Sequence, residues 1–250
     1  MKIQYASDLH LEIGKNKKRF TNNPLLPIGD VLILAGDIIA FSELDTHQEF
    51  IDYCSHHFKM VYWVPGNHEY FNFDLEKKTG ILCESIRSNF LLVNNTSAEF
   101  EGIRLIFSTL WSRITGNQEK EIDKRLSDFR FIKSGGSLLT IERYNQLYNE
   151  SIVFLEEAIS EPFKGSQIIV THHVPTLLNY PKKYLKTGVH EAFATELETF
   201  IQEFSDNGVN CPYWIYAHHH HNVPDFTVGN TKLITNQYVK GFDRGKVLEI

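Results

Sequence analysis

Asp30-Val31-Leu32-Ile33-Leu34-Ala35-Gly36-Asp37 is a run of five apolar residues that stops at a glycine and a carboxylate. An unbroken apolar run of this length reads as a strand buried on both faces, the habit of parallel strands covered by helices. The pattern recurs on either side. Lys2 to Ser7 leads into Asp8-Leu9-His10, and Met60 to Val64 leads into Pro65-Gly66-Asn67-His68-Glu69. Between these runs Glu43 to Phe58 and Phe73 to Asn89 carry helical periodicity, which predicts crossovers joining the strands. Further strands are predicted at Leu91 to Val93, at a hairpin around Glu101-Gly102, at Gln167 to Thr171, at Tyr213 to Ala217, and at a hairpin turning on Gly229-Asn230. Thr140 is placed to cap a long helix reaching Ile159. The alternation of strands and helices predicts a layered α/β fold.

Residues 113–137 have no clean period and end in Gly135-Gly136. We read this segment as an inserted excursion over the sheet, of the kind that shapes substrate pockets. No repeat, low-complexity tract or Pro/Ser-rich linker divides the 250 residues, so one domain spanning 1–250 is expected. Hydrophobic residues at 42% and charged residues at 22% exclude a disordered or fibrous chain. The 25 Lys and Arg against 31 Asp and Glu, a net charge of −6, argue against a general nucleic-acid binder, which needs a basic surface. Asp8 and His10 come too soon after Met1 for a leader peptide, and no segment is long and apolar enough to cross a bilayer. A cytoplasmic protein without membrane partners is expected. Cys54, Cys83 and Cys211 are odd in number and in no CxxC pairing, so they read as free thiols.

The chemistry gathers where the strands end. Asp8-Leu9-His10, Gly36-Asp37, Gly66-Asn67-His68-Glu69, His172-His173 and His218 to His221 are all Asp, Asn and His clusters, the oxygen and imidazole donors of divalent first-row metals. Any one of them is explained as a turn or a cap. Five in series are not, because binding sites in open α/β sheets form beyond the carboxyl ends of the strands, where all five would meet. In the run of four histidines, side chains alternate on an extended backbone, so His218 and His220 would share one side and His219 and His221 the other. The ligand pair is expected to be 218/220. Arg113 is a candidate phosphate grip, through the paired hydrogen bonds of a guanidinium.

The order Asp-x-His, Gly-Asp, Gly-Asn-His-Glu, His, His-x-His resembles the calcineurin-like metallophosphoesterases across residues 8 to 220. That resemblance implies a four-layer α/β/β/α sandwich with two facing mixed sheets. It implies two divalent ions (Mn, Fe or Zn), one held by Asp8, His10, Asp37 and His220, the other by Asp37, Asn67, His172 and His218. Asp37 would bridge the ions, and His68 would stand beside them as a catalytic residue. In the pair His172-His173 the family's ligand corresponds to the first, which leaves His173, with Asn67 and Arg113, as a candidate substrate contact. Ala217 stands where the family has a glycine before the last His-x-His. Ala40, Phe41 and Ser42 replace the tyrosine of purple acid phosphatases and the Asp-Arg-Gly of protein Ser/Thr phosphatases, which disfavours both groups and removes the carboxylate that orients His68 in the latter.

Two divalent ions roughly 3.5 to 4 Å apart share a bridging water, lower its pKa and neutralise charge on phosphate oxygens during in-line attack. The expected activity is hydrolysis of phosphate mono- or diesters of small or nucleotide-like substrates by a metal-bridging hydroxide, with His68 as general acid. A metal-dependent nuclease would need a basic groove, which the charge balance does not support. A non-catalytic interaction module on the same fold would be expected to have lost ligands, and all seven are present with His68.

Overall fold

The computed structural model describes residues 1–250. Its strands, in chain order, are β1 (Lys2–Ala6), β2 (Val31–Ala35), β3 (Met60–Val64), β4 (Leu82–Arg87), β5 (Phe90–Asn94), β6 (Thr96–Phe100), β7 (Ile103–Ser108), β8 (Lys133–Ser134), β9 (Ser137–Leu138), β10 (Ser166–Thr171), β11 (Tyr213–Ile215), β12 (Phe226–Val228), β13 (Thr231–Ile234) and β14 (Val247–Glu249). Two six-stranded mixed sheets result, ordered β14-β1-β2-β3-β5-β4 and β12-β13-β11-β10-β7-β6. In each, four parallel strands lie at the centre and an antiparallel strand closes either edge.

Alternation along the strands makes the layers. Ile33, Ala35, Tyr62 and Val64 of the first sheet pack with Leu105, Phe107, Ile168 and Val170 of the second, forming an interior between the sheets. The rings of Tyr62 and Phe107 stack across it at 4.9 Å. The alternate residues Leu32, Leu34, Val61 and Trp63 face outward into a cluster with Phe20, Ile51 and Cys54 of the helices Gly14–Asn22 and Gln48–His57. On the far side Ile106, Ile169 and Trp214 meet Leu155, Ile159, Ile201 and Phe204 of the helices Ile141–Ser160 and Glu198–Asp206. This is the expected four-layer α/β/β/α sandwich. Thr140 caps the long helix, its Oγ1 accepting from the Arg143 amide at 3.2 Å.

Three sequence readings are corrected. Phe73 to Asn89 is not a helix: after one 3₁₀ turn at Leu75–Lys77, the left-handed Gly80 (φ 69°) leads into β4, which pairs antiparallel with β5. Leu82, Ile86 and Phe90 stand four apart and mimic a helical stripe, but edge pairing overrides that local signal. Glu43 to Phe58 is split into a 3₁₀ segment, Phe41–His47, and the helix Gln48–His57. β11 stops at Ile215, two residues short of the expectation. The 113–137 segment holds two short helices, Glu119–Arg125 and Asp128–Phe131, and closes in the β8–β9 hairpin. It is tied down by Ile122, Leu126, Phe129 and Ile132, which join the outer core of the first sheet.

Candidate metal centre

Every cluster named from sequence follows the carboxyl end of a parallel strand: Asp8 and His10 follow β1, Asp37 follows β2, Asn67 and His68 follow β3, His172 follows β10, and His218 and His220 follow β11. The chain turns sharply there. Asp8, His10, Asp37, His218 and His220 all adopt positive φ, from 45° to 75°, a conformation that costs energy in non-glycine residues and marks functional turns. The turns are tied to one another by amide bonds from Asp8 N to Gly36 O at 3.0 Å and from His10 N to Asp37 O at 2.9 Å. Below them the fully buried Glu69 carboxylate accepts from the amides of Asp37, Ile38 and Gly66 and from Trp63 Nε1, at 2.7 to 2.9 Å. Glu69 therefore locks the Gly-Asp turn to the Gly-Asn-His-Glu turn.

Three clusters of ligand-type side chains form: His10, Glu12 and His68 make one around a single carboxylate, and the other two hold the Asp and His ligands expected from sequence. Asp8, His10, Asp37 and His220 offer one donor atom each within 4.8 Å of one another, as do Asp37, His172 and His218. Asp37 belongs to both. In the first, the Nε2 atoms of His10 and His220 lie 3.1 Å apart, with His220 Nε2 3.3 Å from Asp8 Oδ1 and His10 Nε2 3.7 Å from Asp37 Oδ2. In the second, His172 Nε2 lies 3.0 Å from His218 Nδ1 and 3.4 Å from Asp37 Oδ1. The far nitrogens are anchored, which fixes each ring as a second partner does at metal sites. His172 Nδ1 donates to Ala35 O at 2.9 Å, His218 Nε2 faces Ala192 O at 3.3 Å, and His10 Nδ1 faces Glu12 Oε1 at 3.0 Å.

The chain's own atoms leave this arrangement incomplete. Asp8 Oδ1, Asp37 Oδ2 and Asn67 Oδ1 are buried without a hydrogen-bond partner, a costly condition for oxygen atoms unless a cation meets them. Asn67 Nδ2 donates to Asp128 Oδ1 at 2.8 Å, which turns the amide oxygen the other way. Mixed carboxylate, amide and imidazole donors are the set that divalent first-row metals take, so the residues fit such ions. Space is equally tight. A Cβ on Gly36 would stand 2.2 Å from His172 Nδ1, and one on Gly66 2.3 Å from Asp37 Oδ1.

In the metal-free chain, burial opposes ionisation of Asp37, but the facing His172 and His68 hold its carboxyl well below the usual range. Burial likewise works against a charged His68, yet Asp37, Glu12 and Asp128 raise it to about 9. His68 is partly exposed. Its Nδ1 is 3.4 Å from Glu12 Oε1, and its ring stacks on Phe71 at 4.1 Å. Glu12 thus stands where Ala40 could not, as the carboxylate beside His68. Sequence reading also missed Asp128 and Glu69, although Glu69 was quoted as the last residue of its motif.

His219 and His221 stand apart from both groups. His219 Nδ1 accepts from Gln237 Nε2 at 2.9 Å, and its ring stacks on Tyr180. Strand alternation is not the reason for this register, since β11 has already ended and His218 and His220 are both left-handed turn residues. His173 is corrected as a substrate contact. It is fully buried, with Nδ1 3.2 Å from Thr109 O and Nε2 3.2 Å from the Tyr144 hydroxyl, and its ring lies against His218. Burial, reinforced by the charge of His172, depresses its pKa to about 3, so it is a neutral support behind the centre. Arg113 is exposed and forms no ion pair or hydrogen bond within the chain.

A sequence model of calcineurin-like phosphoesterases matches residues 1–222. The chain belongs to that family. It is a metallophosphoesterase, a hydrolase of phosphoric esters. An uncharacterized protein of Acanthamoeba polyphaga mimivirus is 30% identical over 268 residues, covering 94% of this chain and 90% of its own length. Among solved structures, the phosphopantetheinyl hydrolase of Mycobacterium tuberculosis aligns over 99% of this chain and 95% of its own, with a TM-score of 0.69 at 16% identity, and so shares the fold. A dimetal phosphatase from Danio rerio aligns over 95% of this chain and 87% of its own, with a TM-score of 0.49 at 14% identity. No helix of this metallophosphoesterase is long and apolar enough to cross a membrane.

Proposed function

We propose that this metallophosphoesterase works as a single domain and hydrolyses phosphate mono- or diesters of small or nucleotide-like substrates at a two-ion centre. Asp8, His10, Asp37 and His220 would hold one ion, Asp37, Asn67, His172 and His218 the other. The observation that carries the reading is the set of buried, partnerless oxygens on Asp8, Asp37 and Asn67, facing imidazole nitrogens that are anchored from behind. When bound, Mn, Fe or Zn ions supply an activated water and neutralise charge on the phosphate oxygens.

The side chains supply the rest. Asp37 lies between the two groups and keeps them in one register. Asp128 orients the Asn67 amide so that its oxygen faces inward. His68 reaches the rim, half-open to solvent, and we assign it the proton delivered to the leaving alkoxide. Phe71 and Glu12 hold its ring edge-on to His10, with ring centroids 4.4 Å apart.

Elemental analysis of the purified protein, followed by a panel of chromogenic mono- and diesters with a phosphopantetheinyl ester included, tests the reading. Two ions per chain and turnover that vanish together in Asp37→Ala are expected. A metal-saturated protein holding a single ion remote from Asp37, or one that hydrolyses no ester, would falsify it.

A further inference from the structure

The segment after His173 returns to the metal centre and builds a wall against it. A cavity of about 230 Å³ opens directly on His218 and His220, and Tyr180, Tyr184, Val189 and Phe193 line its other side. Two of these rings are fixed by stacking on the histidine run: Phe193 lies flat on His218 with centroids 4.8 Å apart and planes 24° apart, and Tyr180 on His219 at 5.5 Å and 24°. No Asp, Glu, Lys or Arg lines the cavity, and besides His218 and His220 its polar lining is Thr187, His190, His219 and the two tyrosine hydroxyls. Away from His218 and His220, a charged group placed there would lose water without gaining a counter-ion. A flat apolar group would gain ring contacts on several sides. For scale, an apolar cavity of roughly 150 Å³ takes up a benzene ring.

Resting on the phosphoesterase reading above, we propose that this cavity is the specificity pocket, and that it takes a planar, uncharged ring carried on one ester arm of the phosphate. The pocket selects aromatic or heteroaromatic esters over sugar and short alkyl phosphates. Its side is set by the fold. It touches the centre at His218 and His220, whereas His68 approaches from the Glu12 and Phe71 side. Tyr184 is the residue to change, because it is half-buried on a single short helical turn, Lys182–Leu185, and belongs to neither ligand group.

The test is calorimetric binding of two non-hydrolysable probes, phenylphosphonate and methylphosphonate, to the metal-loaded protein, beside turnover of the matching esters. Phenylphosphonate should bind about tenfold tighter or more, as expected for transfer of one ring out of water. Tyr184→Ala should cut that ratio several-fold while leaving methylphosphonate affinity unchanged, and Tyr184→Phe should keep it. Equal affinities in the unmodified protein, or equal weakening of both probes in Tyr184→Ala, overturn the pocket even if esters are still hydrolysed. Conversely, a retained ratio without any ester turnover supports the pocket and removes the hydrolase reading instead.

Discussion

Asp128, carried on the 113–137 excursion, accepts the Asn67 side-chain amide at 2.8 Å, 61 residues away in sequence. The Asn67 oxygen is thereby left facing inward without a partner. Replacing Asp128 should loosen the amide. Asp128→Ala is expected to weaken the more labile ion about 10- to 100-fold, the usual effect of losing such support. Asp128→Asn, whose own carbonyl can still accept, should lose much less. Metal titration monitored by calorimetry reads the difference, and equal affinities in both variants would remove the positioning role.

Glu12 lies between His10 and His68, so the two imidazoles share one carboxylate. Glu12→Ala should slow turnover by about one to two orders of magnitude. Since part of its action passes through His68, Glu12→Ala combined with His68→Ala should be only slightly slower than His68→Ala alone. A double variant whose loss equals the product of the single losses would show that Glu12 acts through His10 alone.

His68→Ala should keep both ions and lose about 10² to 10⁴ in turnover on alkyl esters, the contribution of a positioned proton donor. The loss on p-nitrophenyl esters should be far smaller, because that leaving group departs without a proton. Equal losses on both, with metal content intact, would assign His68 to charge stabilisation.

Gly66 passes so close to Asp37 and His172 that a single methyl group there collides with both. Gly66→Ala is expected to fold, as judged by circular dichroism, yet to hold fewer than two ions by elemental analysis. Full occupancy would mean that the turn has slack which the packing does not suggest.

Cysteine reactivity reports on the packing independently of the centre. Cys83 is exposed on an edge strand, while Cys54 and Cys211 are buried. Burial pushes the Cys54 thiol up, and the Cys211 thiol up to about 12. One thiol per native chain should react with a chromogenic disulfide at neutral pH, and three in denaturant. Rapid reaction of a second native thiol would contradict the outer core around Cys54 or the packing at Cys211.

What could be read from sequence was what is encoded locally. The runs Val31–Ala35 and Met60–Val64 announce buried parallel strands by themselves, and Glu101-Gly102 announces a tight hairpin, with both residues at positive φ. β4 was misread because Leu82 and Ile86 carry a helical spacing, and its pairing partner is a matter of tertiary structure. The ligand-type residues were legible as clusters. Their supports were not: Glu12 continues the Asp8-x-His10 alternation but belongs to no recognised spacing, Asp128 comes from a segment without periodicity, and the aromatic wall at residues 180–193 lies in a stretch where no motif stood out. Such residues are chosen by what they face after folding, which neighbours in the chain do not reveal.

The ligand-type residues are divided between the two sheets. Asp8, His10, Asp37 and Asn67 follow strands of one, whereas His172, His218 and His220 follow strands of the other. Any ion bridging Asp37 and His172 is therefore a rivet through the sandwich, added to side-chain contacts such as that of Tyr62 with Phe107 and to the backbone bridge between Ser7 and Gln237. Because such an ion binds the native arrangement and not the unfolded chain, each tenfold excess of free metal over its Kd adds about 1.4 kcal/mol to the folded state. Chelation would then remove that increment and lower the midpoint of thermal unfolding, although the fold itself is untouched.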